Sequence, residues 1–128
     1  MSDLIKYSIE IPINSSVNVL YKRLSSASGL AEWFADNVNL KENVYTFFWE
    51  DSEQSAKILK KKTNKFIQFK WLDDKYKESY FEFAIQIDEM TSDVSLIITD
   101  FAEDLNDKEE QILLWEQQFE NLKRAIGS

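Results

Sequence analysis

The stretch YFEFAIQIDEMTSDVSLIITD, Tyr80–Asp100, decides the fold class. Within Tyr80–Ile87, the residues Phe81, Phe83, Ile85 and Ile87 alternate with Tyr80, Glu82, Ala84 and Gln86. Successive side chains of a strand point to opposite faces, so this spacing predicts a strand with one apolar face. Val94–Asp100 repeats the pattern with Val94, Leu96 and Ile98. Only Asp88–Asp93 separates the two. That connection is too short for a crossover helix, so the strands must run antiparallel.

The same reading extends toward the N-terminus. Phe66–Trp71 groups Ile67, Phe69 and Trp71, and Val44–Trp49 sets Tyr45, Phe47 and Trp49 against Val44, Thr46 and Phe48. Ser55–Lys61 is a weaker, Lys-rich strand of the kind found at a sheet edge, and Asn37–Lys41 is a short strand ahead of these. Connections at Lys41–Asn43, Glu50–Gln54, Lys62–Lys65 and Asp73–Lys77 are short and polar, so the segments form an antiparallel meander. An earlier strand, Leu4–Ile11, carries Ile5, Tyr7, Ile9 and Ile11 on one face, and Pro12 ends it by withholding a ladder donor. A helix follows, capped by Asn14, Ser15 or Ser16, with Val17, Leu20, Tyr21 and Leu24 at helical spacing. Ser25–Gly29 interrupts it, and a short second helix is expected over Leu30–Asp36, with Leu30, Trp33 and Phe34 on one side.

The chain closes on a long helix over Asp107–Ile126. Asp107 is the expected cap, and Glu109 and Glu110 suit the positive end of the helix dipole. Lys123 and Arg124 suit the other end, and Gly127 is a natural stop. Ile112, Trp115, Phe119, Leu122 and Ile126 make one apolar stripe. A sheet apolar on one face needs a cover, and this helix is the only element long enough. The expected architecture is α+β: one domain over residues 1–128, a curved antiparallel sheet of six to seven strands, two short helices, and the long helix gripped in the concave face. Such a grip can enclose an apolar pocket.

Composition removes whole classes of chemistry. The 128 residues contain neither Cys nor His. Disulfides, thiolate or His-based catalysis, and Cys- or His-ligated metals are therefore excluded. Two Gly and one Pro leave no Gly-rich phosphate loop. No apolar run is long enough to span a bilayer, and the opening MSDLIKYSIEIPIN lacks the pattern of a signal peptide, so a cytoplasmic protein is expected. The net charge of −8 argues against nucleic-acid binding. Residues 88–128 carry 11 acidic and three basic side chains, whereas residues 1–87 are balanced at 12 of each. Lys57, Lys60, Lys61, Lys62 and Lys65 form the one basic cluster: either the solvated tip of a hairpin or a docking patch for an acidic partner. The two poles could also attract a second copy of the chain.

Three features carry a resemblance. They are the strand Ile5–Ile11 followed by the helix Ser16–Leu24, the element Gly29-Leu30-Ala31-Glu32-Trp33-Phe34-Ala35-Asp36, and the ending Leu114-Trp115-Glu116 through Phe119, Leu122 and Lys123. With them the chain resembles the START-like, or SRPBCC, superfamily of the helix-grip fold. Within it the likeness is greatest to homologues of the heat-shock-protein-90 ATPase activator and to small bacterial START-like proteins of unknown function. The resemblance implies a lipid-like or other apolar ligand held between sheet and helix. It also implies that some relatives are cyclases or dehydratases and others co-chaperones.

Candidate site residues follow from the inward registers. Phe47, Trp49, Phe69, Trp71, Phe81, Phe83, Trp115 and Phe119 would line a ligand pocket or fill a plain core. Trp33 and Phe34 at its end would be a gate or a plug. A pocket reading requires a cavity of at least ~300 Å³ between sheet and helix. Without His, an acid or base would be a carboxylate, a Tyr or a buried Lys; Asp100 is the one carboxylate whose parity points inward, which makes it the candidate, unless it caps a loop. The acidic run from Asp100 to Glu110 lacks the spacing of a calcium loop and reads as a solvated loop and helix start. No cofactor and no metal are expected. Two partners are: a small apolar or amphipathic ligand, or a protein, possibly a second copy.

Overall fold

A computed structural model describes residues 3–127. In chain order it contains β1 (Ile5–Pro12), α1 (Val17–Ser25), α2 (Ala27–Leu30), β2 (Asn37–Lys41), β3 (Val44–Trp49), β4 (Ser52–Lys62), β5 (Phe66–Trp71), β6 (Phe81–Ile87), β7 (Val94–Ala102) and α3 (Leu105–Ile126). The seven strands form one antiparallel sheet in the order β1-β7-β6-β5-β4-β3-β2. The meander of β2 to β7 is the one read from the short connections. The first strand closes the sheet at its far side, with Tyr7 opposite Asp100 and Ile9 opposite Ile98. The long helix packs on β7 and β1, and α1 packs on β5 and β6. This is the expected α+β helix-grip arrangement. Among the described residues, no helix is long and apolar enough to cross a membrane.

The inward registers hold. Tyr45, Phe47, Ile67, Phe69, Phe81, Phe83, Leu96 and Ile98 are buried, and the stripe of α3 buries Trp115, Phe119 and Leu122. Four local readings need correction. The Lys-rich strand β4 is not an edge: it lies between β3 and β5. A bulge between Ile58 and Lys60 breaks its alternation, which explains its weak pattern. Its Lys60–Lys62 end runs past β3, whose pairing stops at Lys57, so the lysines sit in solvent as an edge would.

The second correction is α2, which spans Ala27–Leu30 rather than Leu30–Asp36. Ser26 caps it by accepting the Gly29 N–H at 3.0 Å. Gly29 is part of the helix, not of an interruption. A Cβ there would collide with the backbone of Lys22 and Arg23, which lies 2.7 Å away at the Arg23 Cα, so only glycine lets α1 and α2 meet. Third, α3 begins two residues early, at Leu105. Asp104 is its cap, accepting the Asp107 N–H at 2.8 Å. The Asp107 carboxylate turns back to accept the Glu103 N–H at 2.9 Å. Fourth, Pro12 remains inside β1, opposite Ser95.

Candidate functional site

Three indoles of the grip, those of Trp33, Trp49 and Trp115, donate their N–H to a partner, and these bonds place the aromatic rings. Trp33 Nε1 donates to the Arg23 carbonyl at 2.7 Å, and Trp49 Nε1 to the Phe34 carbonyl at 3.0 Å. The same Phe34 carbonyl accepts from Gln118 Nε2 of α3 at 3.0 Å. The segment after α2 is thereby tied to β3 on one side and to α3 on the other. Its Phe34 ring is driven into the space between sheet and helix. Ring centroids of Phe47, Phe81, Phe83 and Trp115 lie 4.9–6.0 Å from it. Those of Trp49 and Trp71 lie at 5.8 and 6.5 Å. Phe69 stacks on Phe81 at 4.9 Å, and Trp33 meets Phe83 at 5.4 Å. These are contact distances for aromatic pairs.

The structure therefore brings the ten sequence-predicted lining residues together. Trp33, Phe34, Phe47, Phe69, Phe81, Phe83, Trp115 and Phe119 are buried, and Trp49 and Trp71 are half-buried. Nine of them meet ring to ring between sheet and helix, and Phe119 belongs to the same buried core. Two open depressions lie at the margins of this cluster. One, of about 300 Å³, has Trp33, Phe34 and Trp49 at its rim beside Gln118 and Asn121. The other, of about 350 Å³, runs from Trp71 across the β5–β6 loop to the start of α3.

Asp100 borders the second depression. It sits two residues before the end of β7 and does not cap a loop. Its Oδ2 accepts the Trp115 Nε1 proton at 3.1 Å, and its Oδ1 accepts the Phe101 N–H at 2.8 Å. Burial pushes its carboxyl up to about 6, against the pull of those two hydrogen bonds, and the charges of Asp107 and Asp74 add to the rise. Tyr7, opposite it in the sheet, donates its phenolic proton to Gln111 Oε1 at 2.6 Å. Gln111 Nε2 in turn donates to Asp107 Oδ2 at 3.2 Å. Burial and the charge of Asp100 raise the Tyr7 phenol well above its usual range.

The β5–β6 loop is organised by Lys70. Its ammonium donates to the Ser79 carbonyl at 2.8 Å, to the Tyr76 carbonyl and to the Asp74 carboxylate at 3.4 Å. Burial alone would raise Asp74. Hydrogen bonds from Ser79 and from the Tyr76 N–H, with the charge of Lys70, hold it below the usual carboxylate range. Sequence reading missed Tyr7, Gln111 and Lys70 as parts of this region. The inward parity of Tyr7 was visible, and Gln111 precedes the stripe residue Ile112. Their partners lie about a hundred residues away in one case and on an irregular loop in the other, where periodicity carries no signal. Among the described residues, no group of His, Cys, Asp or Glu side chains is arranged to hold a metal ion.

Comparison with known proteins agrees with this geometry. A solution structure of a Bacteroides fragilis protein is 34% identical over 95% of this chain and 90% of its own, with a TM-score of 0.68. The Aha1 dimer from Colwellia psychrerythraea shares the fold at 16% identity, covering 95% of this chain and 96% of that one, with a TM-score of 0.79. A Mesorhizobium loti protein shares it at 16% identity, 94% and 95% coverage and a TM-score of 0.73. No curated protein matches the chain. The model of the START-like superfamily domain matches residues 1–128, and the chain belongs to that family.

Proposed function

We propose that the domain is a cytoplasmic, non-catalytic interaction module, co-chaperone-like in acting through its surface. The observation that carries this is the position of Phe34: its ring, held by the bonds on its own carbonyl, fills the grip that a lipid-like ligand would occupy. What remains for recognition is outside. The lysines at the end of β4 are an exposed basic group, and the exposed acidic residues of α3 carry the opposite charge. Fold alone does not select a partner.

A second reading, binding of an amphipathic small molecule, is favoured by the 350 Å³ depression. Trp71, Tyr76 and Tyr80 there offer apolar surface next to Asp100. Native mass spectrometry of protein purified without detergent separates the two. The bare chain mass is expected. A defined adduct that disappears in Trp71→Ala or Asp100→Asn would replace the surface reading with the second one.

A further inference from the structure

The outer side of β1 is the longer of the two free edges of the sheet: eight residues against five in β2. Ile13 N donates to the Val94 carbonyl at 2.9 Å and continues the register in which Pro12 faces Ser95. In an antiparallel ladder, a residue bonded in this way turns both its N–H and its C=O to the neighbour, and the next residue turns both away. The odd-numbered residues of β1 therefore serve the ladder with β7. Lys6, Ser8 and Glu10 present their backbone groups to solvent. Pro12 has its missing donor on that outer side, so it limits the pairable stretch rather than the ladder with β7.

We infer that this edge pairs with the same edge of a second copy, antiparallel about a two-fold axis at Ser8. The inference deepens the surface-acting reading by naming one partner. At this axis Lys6 stands opposite Glu10 of the second copy, and Glu10 opposite its Lys6. Three backbone donors from each chain find acceptors across the axis. On the inner face, Tyr7 meets Ile9 and Ile5 meets Ile11, and the isoleucines are only half-buried in the single chain. Moving the axis by one pair in either direction, to Lys6 or to Glu10, sets two like charges face to face, which is unfavourable for a cross-strand pair. Axes at Tyr7 or Ile9 set Lys6 and Glu10 opposite uncharged residues, so the axis at Ser8 gives the one self-complementary register that pairs opposite charges across a closed two-fold interface. An interface of one strand pair belongs to the small, transient class.

Sedimentation equilibrium on the full chain at low salt, from about 10 µM to about 1 mM, tests it. A monomer–dimer equilibrium within that range is expected. Glu10→Lys sets lysine against Lys6 and is expected to weaken the dimer about tenfold. The exchange Lys6→Glu/Glu10→Lys restores the opposition of charges and is expected to recover the dimer to within about threefold. Far-ultraviolet circular dichroism checks that both variants fold. A monomer throughout the range, a dimer indifferent to Glu10→Lys, or a double exchange that fails to recover would each overturn the inference. Bound mass per chain reads the surface-acting proposal separately, so each can fail without the other.

Discussion

At the residue scale, Asp100 shows how a side chain can be both fastened and uncomfortable. It holds α3 to the sheet through Trp115, yet burial disfavours its charge. Its folded pKa of about 6 lies above the ordinary 3.8, so the native state binds the extra proton between these values. Stability contributed by this group is present below pH 4 and falls as the pH rises toward 6. The full shift corresponds to roughly 3 kcal/mol as an upper bound. Asp100→Asn keeps an acceptor for the indole and removes the titration. Thermal unfolding from pH 4 to pH 8 should show the variant gaining on the wild type up to about pH 6, with a constant difference above. Parallel curves across the whole range would mean that the ionised carboxylate costs nothing in the fold.

At the element scale, α3 is set by its ends as much as by its stripe. Asp104 satisfies one of the free N–H groups of the first turn, and Gly127, with φ of 84°, closes the last turn by donating to the Lys123 and Arg124 carbonyls. Asp104→Ala is expected to cost about 1 kcal/mol in urea unfolding. A loss within error would show that Asp107 can take over as cap, as its spacing in the sequence suggests. The same competition explains the misplaced start: Asp104 and Asp107 are both good caps, and periodicity does not choose between them. In β4, the bulge at Ile58 and Lys60 shows the reverse situation. There the pattern was weak because the backbone itself departs from a period of two.

At the scale of the whole molecule, Phe34 joins all three layers: the α2 segment that carries it, the sheet and α3. Phe34→Ala would leave a void among rings that cannot collapse onto one another, at an expected cost of about 3–5 kcal/mol. Equilibrium urea unfolding measures this, and Phe34→Leu, which retains more volume, should cost less than half as much. A cost near zero for Phe34→Ala would mean that the grip tolerates an empty centre, and would favour a ligand-sized pocket.

Sequence alone determined the element types, the antiparallel meander, the inward faces and the identity of the cover helix. The faces and element types follow from a local period of 2 or 3.6, and the meander follows from connections too short for a crossover helix. Sequence also brought eight of the ten aromatic residues to one place, because strand parity and the helix stripe point them there, whereas Trp33 and Phe34 reach it from the irregular segment after α2. Tertiary structure decided which of those rings touch, since the entry of Phe34 between sheet and helix sets that. It also decided that β1 closes on β7, that Lys70 gathers the β5–β6 loop, and that Asp100 bonds Trp115. These depend on partners far apart in the chain, and no local period encodes the distance between them.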